Sequence, residues 1–245
     1  MRRQHGGLQN RNVSRLRRDE RGFTLVELLV ATTVGVGVLL VAFSLSESFL
    51  HAQTRVSDRS DSIARGRTAM EQVVQQLRSQ VCLGPGFPAI TYGDDSRVTF
   101  YADLANDTFV PERRDLTYAD GSLTERVYPG TTNGDPDPGE APFLFAGTPS
   151  RTRVVLDHMQ LHREAGADVP FFRYYMFDGS DPIRPSRLLP TPLSANDAAR
   201  VVQVTISYAS LPSRGGSGTT PEPFTANVYV RTADPTDPDH SPLCI

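Results

Sequence analysis

From Phe23 to Leu45 the chain is apolar and carries one formal charge, the carboxylate of Glu27. A run of that length spans a bilayer, which needs about 20 residues as a helix. A charge near the start of such a run costs roughly 2.5–3.5 kcal/mol on insertion scales. A plain anchor gains nothing from that cost, so Glu27 asks for a partner. Upstream lie Arg2, Arg3, Arg11, Arg15, Arg17, Arg18 and Arg21 against Asp19 and Glu20, a formal charge of +5. Positive flanks stay in the cytoplasm, which puts everything after Leu45 on the other side of the membrane.

Three readings of this segment compete. A secretory signal peptide has a shorter apolar core followed by a small-residue cleavage site, and no clear A-x-A site follows here. A signal anchor fits the length and the charge but leaves Glu27 without a role. The third reading places the processing point at Gly22-Phe23, on the cytoplasmic side of the apolar run.

The third reading rests on a family resemblance. Gly22-Phe23-Thr24-Leu25-Val26-Glu27-Leu28-Leu29-Val30, behind a basic leader, resembles the processing motif of class III signal peptides, found in type IV prepilins and the pseudopilins of type II secretion. The resemblance implies that a prepilin peptidase cuts between Gly22 and Phe23, that the new amino group of Phe23 is methylated, and that Glu27 pairs with the Phe23 amine of a neighbouring subunit. The pairing is physically sensible, because a buried carboxylate and a buried ammonium each cost several kcal/mol alone and become tolerable together. Implied partners are the peptidase, other pilins or pseudopilins, an assembly platform in the inner or cytoplasmic membrane, and membrane lipid before assembly. The implied location is the cytoplasmic membrane, single-pass with the ectodomain outside, and then a pilus or pseudopilus.

The amphipathic pattern continues past the apolar run. Phe49, Val56, Ile63, Met70 and Leu77 recur every seven residues, joined by Val74 and Val81, with Arg55, Asp58, Arg59, Asp61, Arg65, Arg67 and Glu71 between them. This predicts one helix over 23–81, spanning the membrane over 23–45 and amphipathic over 46–81. The stripe needs a surface to cover it. Gly35 and Gly37 weaken the spanning half by roughly 1 kcal/mol each, which suits close packing in the bilayer or, as the resemblance implies, a segment that loosens on assembly. Leu83 to Pro88, rich in Gly and Pro, then stops the helix.

From 84 to 245 the pattern is short strands between long polar loops. Expected strands are Arg97–Ala102, Asp115–Tyr118, Ser122–Val127, Phe143–Phe145, Arg151–Leu156, Phe171–Phe177, Arg200–Ala209 and Thr225–Arg231. Asp120-Gly121 between two of them signals a hairpin turn. The loops Thr131–Pro142, Pro182–Asn196 and Leu211–Pro223 are long for a compact domain. The expected fold class is α+β, pilin-like: a 1–22 leader, a long N-terminal helix and an antiparallel β-sheet domain. Val98-Thr99-Phe100-Tyr101-Ala102-Asp103, Pro111-Glu112-Arg113-Arg114 and Gly121-Ser122-Leu123-Thr124-Glu125-Arg126 resemble the W-type minor pilins, and J-type minor pseudopilins share the outline. The size of the chain and the lack of Pro in the spanning helix favour a minor over a major subunit.

The chain holds two cysteines, Cys82 at the end of the helical pattern and the penultimate Cys244. Both fall on the side of the membrane where disulfides persist, and pilin-like domains often lock their C-terminal part by such a bridge. Closing so long a loop contributes about 4–5 kcal/mol in the chain-entropy model. Two separate thiols are the alternative.

No enzyme constellation emerges and no cofactor is implied. His158 and His162 lack an H-E-x-x-H context, Gly215-Gly216-Ser217-Gly218 is neither a phosphate loop nor a nucleophile elbow, and the His and Cys are not at zinc spacing. Asn133, Asp135, Asp137 and Glu140 offer oxygen ligands for Ca²⁺, as do Asp103, Asn106 and Asp107, and Asp234, Asp237 and Asp239. Turn formation beside Gly and Pro explains all three groups equally well. From residue 23 onward 18 arginines face 26 acidic residues, a formal charge of −8, which argues against a nucleic-acid surface. All 25 basic residues are Arg, a bias of composition. The expected function is a minor pilin or pseudopilin, a structural subunit acting in priming or at the tip. A singly anchored surface protein, adhesin or enzyme, that never polymerises is the rival.

Overall fold

A computed structural model describes residues 24–84, 86–104, 109–137, 139–177, 185–213 and 220–230. The chain divides into two compact units, Met1–Ala52 and Gln53–Ile245. Helix α1 runs Leu25–Arg78 and supplies residues to both. In the first unit every described residue is exposed.

The second unit is built from the last part of α1 and two antiparallel sheets. The first sheet takes β1 (Ile90–Gly93), β2 (Arg97–Ala102), β3 (Glu112–Ala119), β4 (Ser122–Thr132), β5 (Phe143–Phe145) and β6 (Arg151–Leu156), ordered β1-β2-β3-β4-β5 with β6 also on β4. Between β3 and β4 the turn is the expected Asp120-Gly121 pair. Both residues have positive φ, 49° and 73°, and Ala119 faces Ser122, as a two-residue hairpin requires.

Next come β7 (Met159–Gln160), a small hairpin of β8 (Arg163–Glu164) and β9 (Ala167–Asp168), β10 (Phe172–Met176), β11 (Arg187–Leu188), the short helix α2 (Ala195–Ala199), β12 (Gln203–Ser210) and β13 (Glu222–Tyr229). The second sheet is ordered β11-β10-β12-β13, with β7 on the end of β12. Ser194 caps α2, its hydroxyl accepting from the Asp197 N–H at 3.1 Å.

One buried cluster joins the three layers. Ala69, Met70, Val73 and Leu77 of α1 meet Val98, Phe100, Leu116 and Leu123 of the first sheet and Phe172, Tyr174, Val204, Ile206, Tyr208 and Val228 of the second. Tyr174 ties the sheets together, its hydroxyl donating to the carbonyls of Asp94 at 3.1 Å and Arg97 at 3.0 Å. Burial first, and the Asp94 and Asp95 charges second, push its phenol well above the ordinary range.

The buried face of α1 follows the predicted heptad stripe only in its last turns, where Met70 and Leu77 are buried. Phe49 and Val56 are 64% and 70% exposed and Ile63 is half-buried. The buried positions are Ser62, Gly66, Ala69, Met70, Val73, Gln76 and Leu77. The reason is close approach. A Cβ on Gly66 would lie 2.4 Å from the Phe224 ring, and the Ser62 hydroxyl donates to Ser210 Oγ at 3.1 Å. Small and hydrogen-bonding residues therefore occupy the seam, and hydropathy periodicity does not count them.

Candidate functional site in the amino-terminal helix

The site foreseen from the sequence is the start of α1. Gly22 and Phe23 lie outside the described residues. Thr24 precedes the first helical residue, and its hydroxyl accepts from the Glu27 N–H at 3.3 Å while its carbonyl accepts from the Leu28 N–H at 3.1 Å. Thr24 is thus the N-cap, and Thr-x-x-Glu is the sequence of a capping box, a helix-start signal that the sequence reading passed over. The cap bond uses the backbone of Glu27 and makes no demand on its carboxylate. Glu27 is exposed, in the first turn, where the helix dipole favours a negative charge.

Beyond Glu27 the helix presents apolar side chains all round. Leu28, Leu29, Val34, Val38, Leu39, Leu40 and Phe43 are each 60–77% exposed. It is long and apolar enough to cross a membrane, and none of its most apolar window is buried within the protein. Four of its hydroxyls are spent internally. Thr32 and Thr33 donate to the Leu29 carbonyl at 3.0 and 2.7 Å, Ser46 to Ala42 at 2.9 Å and Ser48 to Ser44 at 3.0 Å. In lipid such back-bonding removes the need for outside partners. A Cβ placed on Gly35 or Gly37 would meet nothing within 4 Å, so no packing within the described residues calls for these glycines.

The remaining candidates fall elsewhere. Cys82 is half-buried against the core, and no described cysteine is free; Cys244 lies outside the described residues. Asn133 spends its amide on the Ala141 carbonyl at 3.1 Å, while Asp135, Asp137 and Glu140 are exposed. Asn106, Asp107, Asp234, Asp237, Asp239 and the Gly215–Gly218 loop lie outside the described residues. No group of three or more His, Cys, Asp or Glu converges among the described residues. His158 and His162 have separate acidic neighbours, Asp157 at 3.2 Å and Glu164 at 3.8 Å.

Sequence reasoning missed a buried ion network in the first sheet. Phe100, Arg114 and Val127 lie in register across β2, β3 and β4, and Leu116 faces Glu125, which faces Arg153 on β6. Paired residues of neighbouring strands share a face, so the charges continue the face that carries Leu116 and Leu123 into the core. Glu125 is fully buried. It accepts from Arg114 Nη1 at 2.6 Å and from Arg153 Nε, with Arg151 Nη2 at 3.8 Å. Arg114 also reaches Glu112 at 2.5 Å. On the opposite face Asp115, almost wholly buried, holds Arg97 at 2.6 Å. The signal was available: Glu125 interrupts the period-two series Leu123, Val127.

Over Arg114 and Arg151 opens a cleft of about 400 Å³, lined also by Leu104, Val110, Glu112, Val127 and Ser150. A second groove of about 440 Å³ runs between Ala64, Thr68 and Gln72 of α1 and Val154–Asp157.

No curated protein matches the chain. One family model does, described as the prokaryotic N-terminal methylation motif, over residues 17–43. That span ends within the exposed apolar helix and includes Gly22 and Phe23, which lie outside the described residues, and Thr24 and Glu27, the cap and first turn of α1. Together with a helix apolar enough to cross a bilayer, this match points to a membrane-anchored protein, and the chain carries a type IV prepilin-like N-terminal methylation signal.

Proposed function

We propose that this protein is a minor pilin or pseudopilin, a structural subunit that assembles through its N-terminal helix into a type IV pilus or type II secretion pseudopilus, in priming or at the tip. The observation that carries the reading is an apolar helix with no buried residue in the first unit, whose first part lies within the matched methylation motif. In the membrane, lipid covers that surface; in a filament, neighbouring helices cover it. Glu27 then sets register by pairing with the methylated amine of a neighbour's Phe23, and its carboxylate is left available because the cap bond is made by the backbone.

The second unit faces away from the cytoplasm as a single-pass ectodomain and serves as a packing and recognition module, not as an enzyme. A Cys82–Cys244 bridge locks its C-terminal part, a role that suits the half-buried place of Cys82 against the core. Partners are prepilin peptidase, other pilin-like subunits and the membrane assembly platform.

The test is an intact mass and N-terminal peptide map of the protein purified from membranes. The reading expects cleavage after Gly22, an N-methylated Phe23, and one Cys82–Cys244 linkage under non-reducing conditions. An intact leader on all of the membrane-bound protein would reject it in favour of a singly anchored surface protein that does not polymerise.

A further inference from the structure

We propose that the cleft over Arg114 and Arg151 is a recognition site for an acidic peptide, one presenting an Asp or Glu side chain flanked by apolar residues. The cleft is built from charge and hydrocarbon together. Its charged lining is Arg114, Arg151 and Glu112, a formal charge of +1 in a chain whose formal charge is −3, and Glu125 and Arg153, paired with each other, belong to the same ion network without lining the cleft. Arg114 is 5% exposed and bound to both glutamates, so it is a fixed support. Arg151 differs. It is 53% exposed and lines the cleft, and its ion pair is Glu125 at 3.8 Å, beyond hydrogen-bond reach. Its guanidinium therefore keeps donors for a visiting oxygen acceptor.

The rim decides what carries that acceptor. Leu104 and Val110 line the cleft at 44% and 38% exposure, and Phe109 beside them is 52% exposed. Phe109 packs edge-on to Phe143, and Leu144 next to it is 56% exposed. An apolar patch bordered by charge marks an interaction surface. A single excess positive charge, with Glu112 in the wall, is neutralised by a monoanionic carboxylate, whereas a dianionic phosphate would leave a buried excess of negative charge beside Glu112. The apolar rim fits hydrocarbon on either side of the acid, as an extended peptide supplies. Recognition here does not require that the helix polymerise.

The probe is the fluorescein-labelled peptide acetyl-Ala-Leu-Asp-Val-Ala-amide, with its Asn counterpart, titrated by anisotropy against the full chain in detergent micelles. The Asp peptide is expected to bind at least about tenfold more tightly than the Asn peptide, as a charge-assisted hydrogen bond allows. Arg151→Gln should lose about that same factor while leaving the melting curve unchanged, and Val110→Asp should weaken the Asp peptide more than the Asn peptide. Phosphate should compete no better than chloride at equal ionic strength. Equal affinity for the two peptides, no binding of either, no effect of Arg151→Gln, or displacement by phosphate or a single-stranded oligonucleotide would each overturn the proposal.

Discussion

The hydroxyl of Tyr208 donates to the carbonyl oxygen of Gly66 across 2.6 Å, joining the middle of β12 to the middle of the helical seam. The bond is possible because position 66 has no side chain. The Phe224 ring, stacked on Tyr208 at 5.5 Å between centroids, occupies the space that a Cβ would need. Gly66 therefore sacrifices roughly 1 kcal/mol of helix propensity to let the sheet approach.

Gly66→Val should destabilise the second unit by about 2 kcal/mol, since overpacking a close contact exceeds the propensity gained. In a Phe224→Ala background the same substitution should cost distinctly less, because the two sites share one space. Urea unfolding of the four proteins measures the coupling. Additive costs would show that the Phe224 ring is not what excludes a side chain at position 66.

Glu125→Leu should cost about 3 kcal/mol, because it leaves Arg114 buried without one of its two carboxylates. Arg114→Met together with Glu125→Leu should recover much of that loss, as an apolar pair replaces a desolvated one. Denaturant midpoints decide it. A double variant no more stable than Glu125→Leu alone would mean that the network is not the source of the cost.

Alkali should unfold the second unit. Burial raises the phenols of Tyr174 and Tyr208 above their ordinary value of 10.0. A group whose folded pKa is raised contributes its full stability below the unfolded pKa, and that contribution is lost as pH rises through the folded value. Stability should therefore be flat toward neutral pH and fall above about pH 10. Tyr208→Phe should flatten part of that fall while costing about 1 kcal/mol at neutral pH for the bond to Gly66. Melting temperatures between neutral and strongly alkaline pH test both.

Glu27→Ala should leave membrane insertion and the N-terminal helix intact, because the Thr24 cap bond uses only the backbone of residue 27. Assembly should fail or fall sharply. Thr24→Ala should do the reverse, loosening the first turn by about 1 kcal/mol with assembly kept. Fractionation into membrane and sheared-filament pools distinguishes them, and normal assembly of Glu27→Ala would count heavily against electrostatic pairing.

Much of the fold was legible because its signals are local. Strands Arg97–Ala102, Phe143–Phe145 and Arg151–Leu156 occur at the expected bounds, where β-forming residues sit between turn formers. The Asp120-Gly121 turn was readable because few other dipeptides tolerate two positive φ angles. Strands β1 and β7 to β9 and the β11 edge were missed, being two to four residues long and held by pairing rather than by their own composition. The N-cap at Thr24 was legible and went unread.

The sequence by itself determined the apolar segment, its lone carboxylate and the alternation of strand and turn, because length, charge and period act within a few residues of one another. Only the tertiary structure decided that Ser62 and Gly66 belong to the buried face of α1. Gly66 and Ser62 lie in that seam because Phe224 and Ser210, about 150 residues away, come close enough to need small or hydroxyl partners. The same holds for Glu125. Strand register sets Arg114 and Arg153 beside it, and a buried carboxylate is tolerable only with such partners.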